Sequence, residues 1–307
     1  MDLSLERIEA AVDVIDPVFL SSPQFVAEGL SAELGREILV KVETLNPIGS
    51  FKGRGTGLLA RKLDPALMWV CATAGNFGQG LAYAARARGA RVQVFAASGA
   101  PAAKVERMRA LGASVEVSDS SESAAREFAQ ADAGRLLVMD GLDPAIAEGA
   151  GTIGLELDAA GRLDTVVVQI GDGALISGVA RWLKSGQPQI RVVGVCASGA
   201  PAMAESIAKG RPVSVRGAGT IATALAIVDP VPESFARVSA LVDDVVLVDD
   251  QDLEAAMDAV ARRLGLLVEP AGAAGIAALV RHGAGIPGKR VAVLLTGTGT
   301  PPAATGT

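Results

Sequence analysis

Histidine is almost missing from this chain: His282 is the only one among 307 residues. A Ser-His-Asp triad or a multi-histidine metal centre therefore lacks its parts, and no metal site is expected. Acid–base chemistry must come from Lys, Asp, Glu, hydroxyls or a bound cofactor. Cysteine is nearly as scarce. Cys71 and Cys196 both sit in apolar, strand-like runs, which reads as two buried thiols of a cytosolic enzyme and not as a disulfide. Positive charge is in deficit: the net charge is −6 and no basic run occurs, which argues against a nucleic-acid surface. No apolar run reaches the length of a membrane span. The opening Met-Asp-Leu-Ser-Leu-Glu-Arg is polar and acidic, unlike a secretory signal, so a cytoplasmic location is expected.

What the chain has in plenty is small residues and apolar surface. Half of it is hydrophobic and it carries 36 glycines, a composition suited to close packing of helices on sheets. The length allows one large or two smaller domains. Strand-like and helix-like runs alternate from residue 37 onward. Strands are predicted at 37–42, 68–72, 91–96, 114–117, 136–139, 165–170, 191–196, 244–248 and 290–295. Helices are predicted between them, among them 78–88, 102–111, 122–131, a long 143–158, 174–184, 201–209, 250–264 and 270–281. Residues 1–36 read as helix and loop. Repeated βαβ units imply an α/β fold with mostly parallel sheets and helices on both faces.

The stretch around which the chain is organised is Asn46-Pro47-Ile48-Gly49-Ser50-Phe51-Lys52-Gly53-Arg54-Gly55-Thr56-Gly57. Gly and Pro mark a sharp strand-to-helix turn whose amides can point at a ligand. Lys52 falls on the first helical turn, the end of the dipole that disfavours a cation. A lysine held there, partly desolvated, is expected to have a lowered pKa and to act as a nucleophilic amine able to form a Schiff base with a carbonyl cofactor. The competing reading is a solvated lysine beside a glycine-rich turn.

Gly49-Ser50-Phe51-Lys52-Gly53-Arg54-Gly55 resembles the cofactor-lysine motif of fold-type II pyridoxal-phosphate (PLP) enzymes, the family of threonine and serine dehydratases, threonine synthase, serine racemase and cysteine synthase. The resemblance extends from Ser22 to Thr300 and implies two α/β domains with the active site between them: residues 1–52 plus 141–307 as a large PLP-binding domain, and 53–140 as a small one. It implies Lys52 as the catalytic lysine, with Ser50 beside the substrate and Phe51 beside the cofactor.

Thr73-Ala74-Gly75-Asn76-Phe77-Gly78-Gln79-Gly80 follows a strand and opens a helix, where amides and short side chains can cradle an anion. It resembles the family's Ser-x-Gly-Asn-His-x-Gln-Gly loop. That implies Thr73, Ala74, Gly75, Asn76 and Gln79 around the substrate carboxylate, with Asn76 also facing the cofactor's phenolic oxygen. Phe77 in place of histidine makes one wall apolar. Ala74 stands where racemases of this family carry a serine, and an alanine cannot transfer a proton, which disfavours racemisation.

Gly171-Asp172-Gly173-Ala174-Leu175 follows the strand at 165–170 and opens a helix, a phosphate nest by position. The family has a run of glycines here, so Asp172 and Ala174 depart from it. A carboxylate beside a phosphate is unfavourable unless it points away or is hydrogen-bonded. Thr296 follows the last strand and matches the hydroxyl residue set against the pyridine nitrogen. Val268-Glu269-Pro270 and Gly151-Thr152-Ile153-Gly154-Leu155-Glu156 also resemble family segments, read as helix packing with Glu156 structural.

The reaction implied is PLP-dependent β-elimination from a small hydroxy amino acid such as threonine or serine, giving a 2-oxo acid and ammonia. The alternatives are β-replacement, as in threonine synthase or cysteine synthase, and a PLP-binding protein without turnover. A nicotinamide oxidoreductase ranks last, because the Gly171 turn lacks the full dinucleotide fingerprint. A homo-oligomer, a dimer, is expected.

Overall fold

The computed structural model describes residues 1–73 and 75–299. Among them are ten strands: β1 (Gln24–Val26), β2 (Glu37–Val42), β3 (Met68–Ala72), β4 (Arg91–Ala96), β5 (Ser114–Val117), β6 (Arg135–Leu137), β7 (Thr165–Gln169), β8 (Arg191–Ala197), β9 (Asp244–Val248) and β10 (Arg290–Leu295). The helices are α1 (Leu5–Ala11), α2 (Glu28–Leu34), α3 (Lys52–Ala60), α4 (Asn76–Arg88), α5 (Ala102–Ala110), α6 (Ser121–Gln130), α7 (Pro144–Ala159), α8 (Ala174–Gly186), α9 (Ala202–Lys209), α10 (Pro232–Leu241), α11 (Asp250–Leu264) and α12 (Pro270–His282).

The strands form two sheets. One has six strands in the order β1-β2-β10-β7-β8-β9, and the other has four in the order β5-β4-β3-β6. All neighbours run parallel except the edge pair β1 and β2. The Val-rich β7 is buried at every position, as a central parallel strand covered on both faces must be. The smaller sheet uses residues 68–137, and the larger one draws on the chain before and after it.

Local chemistry sets the helix ends. Asp143 caps α7 by accepting from the Ala145 amide at 2.7 Å, with Pro144 in the first turn. Asp249 and Asp252 form a reciprocal capping box on α11. Two differences from the sequence reading stand out. Strand β1 is only three residues long and pairs solely with β2, too short for alternation to reveal it. Helix α10 opens on Pro232 and buries four residues, in a stretch where the sequence pattern predicts no helix. Helix α3 starts at Lys52, as the strand-to-helix turn predicts, and does so despite three glycines in its first six residues. Packing explains this last case. A Cβ on Gly55 would lie 2.6 Å from the Ile146 carbonyl oxygen, and one on Gly149 would lie 2.5 Å from that of Arg54. The glycines let α3 and α7 touch backbone to backbone, and that contact outweighs their poor helix propensity.

Candidate active site

Lys52 lies at the junction of the two sheets, where strand C-terminal ends converge. Its Nζ donates to Asp140 Oδ2 at 2.6 Å and to Asp172 Oδ2 at 2.7 Å. Asp140 follows β6 of the smaller sheet, and Asp172 follows β7 of the larger one. The rings of Phe51 and Phe77 lie 5.2 Å and 5.8 Å from the ammonium. The lysine side chain is 11% exposed.

These neighbours reverse the expected electrostatics. Burial alone pulls the Lys52 pKa down, but the charges of Asp140 and Asp172 outweigh it, and the amine sits above the ordinary lysine value. Sequence reasoning weighs only the helix dipole and desolvation, and the two carboxylates are closer and carry full charges. Asp140 is pushed up to about 7, first by burial and then by the charge of Asp172, with Lys52 opposing. Asp172 moves the other way: burial raises it, but Lys52 and the Ala174 amide hold it below the usual carboxylate range.

The predicted nest is built around Asp172. Gly173 has φ +96° and precedes α8, a left-handed conformation that glycine adopts without strain. The first turn of any helix leaves amides without intrahelical partners. Here Asp172 Oδ1 accepts one of them, from Ala174 at 2.6 Å. So the Asp172 carboxylate does not point away. One oxygen caps the nest and the other holds the lysine. A side chain on Gly171 would collide with the Ala224 carbonyl, so backbone approaches the turn closely.

The loop after β3 forms a second cluster. Asn76 Nδ2 donates to Glu269 Oε1 at 2.7 Å, and Gln79 Nε2 donates to Asn76 Oδ1 at 3.2 Å. Lys104, on α5, pairs with Glu269 Oε2 at 2.5 Å, so the ion pair joins the small sheet's helices to the N-terminus of α12. The Gly75 amide donates to Thr73 Oγ1 at 3.2 Å. Ser50 bridges to Gly297, and the Phe51 amide donates to the Thr296 carbonyl at 3.1 Å. Thr296 Oγ1 accepts from Gln169 Nε2 at 2.6 Å, which leaves its own proton free to donate. Ala74 and Thr300 lie outside the described residues.

Below the lysine, Arg54 is fully buried and bonds Glu43, Glu156 and Thr152. Glu156 also takes Lys41. This network ties α3 to β2 and α7, two residues from Lys52.

The chain's similarities agree with this geometry. Residues 17–297 match the family described as "Pyridoxal-phosphate dependent enzyme". The chain belongs to this family. It is 33% identical over 302 residues to the L-threonine ammonia-lyase of Thermotoga maritima, covering 96% of this chain and 75% of that one. The crystal structure of a T.th. threonine deaminase superposes with a TM-score of 0.91 at 30% identity, covering 98% of this chain and 99% of that one. Maize serine racemase superposes with a TM-score of 0.90 at 28% identity, covering 98% and 95%. The protein is therefore a fold-type II PLP enzyme with an α/β fold, as the motifs implied.

The site of this PLP enzyme fits its cofactor. Among the described residues, the Ser50 hydroxyl and the Gln79 carbonyl oxygen are buried without a hydrogen-bond partner, polar atoms in want of a ligand. Any side chain on Gly297 would strike Glu269, so the wall beside Asn76 must stay bare. Lys52 would hold the aldehyde carbon, and the Gly171–Leu175 turn would hold the phosphate. Two participants escape sequence reasoning. Asp140 stands in no motif, although its place just past a parallel strand is where such folds put site residues. Glu269 reads in the sequence only as helix packing, yet its carboxylate holds Asn76 and Lys104.

Proposed function

We propose that this enzyme is an ammonia-lyase that eliminates the β-hydroxyl of a small amino acid, threonine or serine, to give a 2-oxo acid and ammonia. The observation that carries the reading is Lys52: a buried amine between two strand-end loops, with a helix-capped turn on one side and a hydroxyl-and-amide loop on the other. The threonine ammonia-lyase and threonine deaminase relatives support the substrate class. Pyridoxal phosphate, when bound, supplies the electron sink for the carbanion at Cα. The chain supplies the rest. Lys52 takes the α-proton. Thr73, Gly75, Asn76 and Gln79 bind the substrate carboxylate, and Ser50 borders the substrate. Phe51 and Phe77 keep water from the amine. Thr296 offers a neutral hydroxyl to the pyridine nitrogen, a weaker pull than an aspartate would give and suited to elimination at Cβ. Gly171, Asp172, Gly173, Ala174 and Leu175 form the phosphate turn.

The two sheets support a division into a domain of residues 1–52 with 141–307 and a domain of 53–140. A homodimer is the assembly we assign, supported by the exposed Phe25 and Val26 on edge strand β1. A cytoplasmic location accords with two free, buried thiols. No described helix is long and apolar enough to cross a membrane.

The test is direct. Purified protein should be yellow, lose its visible band on borohydride reduction, and carry the label on the Lys52 peptide. Wild type should release ammonia and 2-oxo acid from L-threonine or L-serine without interconverting their enantiomers, since Ala74 offers no second proton donor. Lys52→Ala should do neither. A colourless protein that takes up no added PLP would end the reading, and product that appears only with an added nucleophile would assign the enzyme to β-replacement.

A further inference from the structure

Elimination of a hydroxyl needs two proton-handling groups, a base for Cα–H and an acid for the departing oxygen. Hydroxide is a poor leaving group and must be protonated as it goes. Lys52 serves the first need. The identity of the acid is a separate matter, and assigning one rests on the elimination reading proposed for this enzyme. Among the described residues, the acids in contact with Lys52 are Asp140 and Asp172. Asp172 is committed twice, through Oδ1 to the Ala174 amide at 2.6 Å and through Oδ2 to Lys52 at 2.7 Å. Asp140 is held more loosely. Among the described residues its Oδ1 accepts the Gly141 amide, at 3.1 Å, and Oδ2 takes Lys52 at 2.6 Å, with the Asp172 carboxyl also within hydrogen-bonding reach. Its side chain keeps 25% of its surface open, the most of the three.

We propose that Asp140 is the general acid that protonates the departing β-hydroxyl, with Lys52 returning the proton to it. The bonds balance within the site. Lys52, as the neutral amine, removes the Cα proton, and the electron pair left behind forms the Cα–Cβ double bond. The Cβ–O bond breaks with its pair on oxygen, and that oxygen takes the Asp140 proton to leave as water. The Lys52 ammonium, the more basic of the two, gives that proton up to the Asp140 carboxylate across the 2.6 Å contact only as the neutral amine is consumed in restoring the resting site. No oxidant or other reactant is needed. The charged and titratable groups facing Asp140 are Lys52, Asp172 and Cys71. Asp172 is held ionised by Lys52, and burial pushes the Cys71 thiol up to about 12. Asp140, raised to about 7 by burial and by Asp172, is the one carboxyl of the cluster that carries a proton near neutral pH.

The experiment compares two leaving groups on one preparation. L-Serine loses a hydroxyl that must be protonated, and β-chloro-L-alanine loses chloride, which needs no proton. In Asp140→Asn, kcat/KM for serine should fall by about 10²-fold or more, with β-chloroalanine little changed. Asp140→Glu should recover part of the serine rate. The variant should keep the visible absorbance of bound PLP, and serine recovered from deuterium oxide should still carry solvent deuterium at Cα, because Lys52 is intact. The ratio of the two kcat/KM values does not depend on the fraction of protein folded or loaded, so a poorly behaved variant still gives an answer. Equal loss on both substrates would make Asp140 a positioning residue for Lys52, and retention of the serine rate would remove it from the reaction; either overturns the assignment. Failure of the wild type on every β-hydroxy amino acid overturns the elimination reading as well, whereas an active wild type with an unchanged ratio sinks the Asp140 assignment alone.

Discussion

At the residue scale, the site is governed by a charge count that favours the ammonium form of Lys52. A lysine flanked by two carboxylates is held protonated, yet it must be neutral to bond an aldehyde carbon. Asp172 contributes to this and also places a negative charge in the turn that would receive a phosphate. Asp172→Asn keeps an oxygen to cap the Ala174 amide and removes the charge. It should bind PLP about tenfold more tightly, roughly the effect of deleting one nearby like charge in a partly screened site. Equilibrium dialysis of the cofactor-free protein measures this. Weaker binding in the variant would show that the Asp172 charge assists the cofactor. Lys52 and Asp172 are legible in the sequence because each sits in a glycine-rich turn after a strand. Asp140 is hidden because nothing in Val138-Met139-Asp140-Gly141 marks it. It becomes a partner of Lys52 only when β6 and β7, from different sheets, end at the same point.

At the element scale, α3 owes its position to glycine contacts with α7 and to the Arg54 network. Both lie within three residues of Lys52, so the chemistry depends on how closely two helices can approach. Gly149→Ala would set a methyl 2.5 Å from the Arg54 carbonyl oxygen and 2.7 Å from the Gly55 Cα. Overpacking of this kind costs about 1–3 kcal/mol, so the urea midpoint should fall with an unchanged slope. Gly57→Ala, on α3, is the control. A Cβ there meets nothing within 4 Å, and replacing a mid-helix glycine should stabilise by about 0.5–1 kcal/mol. Equal and small effects at the two positions would mean that the α3–α7 contact yields freely. The alternating strands and helices are readable because each carries its own hydrophobic run or capping residue. The start of α3 at Lys52 is readable from the strand-to-helix turn, but its glycine-rich first turns carry no helix propensity of their own and are held by α7 lying against them. Strand β1 and helix α10 share that dependence on neighbours.

At the scale of the whole molecule, the crevice couples the two sheets through charge, and folding stability should report it. Asp140 titrates at about 7 in the fold, against an ordinary value of 3.8. Between those values the folded protein holds a proton that the unfolded chain releases. Its stability contribution is therefore complete below about pH 4 and lost as pH rises toward about 7. The other two members act elsewhere. The Asp172 shift is downward and matters only below the usual carboxylate value, and the Lys52 shift is upward and matters only above the usual lysine value. The buried Lys41, Arg54, Glu43 and Glu156 network is common to wild type and an Asp140 variant, so it cancels when the two are compared. Cofactor-free wild type should thus lose stability from about pH 4 to about pH 7 relative to Asp140→Asn, which has no proton to lose there. Urea midpoints of the two proteins across that range are the measurement. Parallel curves would mean that Asp140 is already ionised at the acidic end of the range, and the protonated carboxyl on which the general-acid assignment depends would be gone.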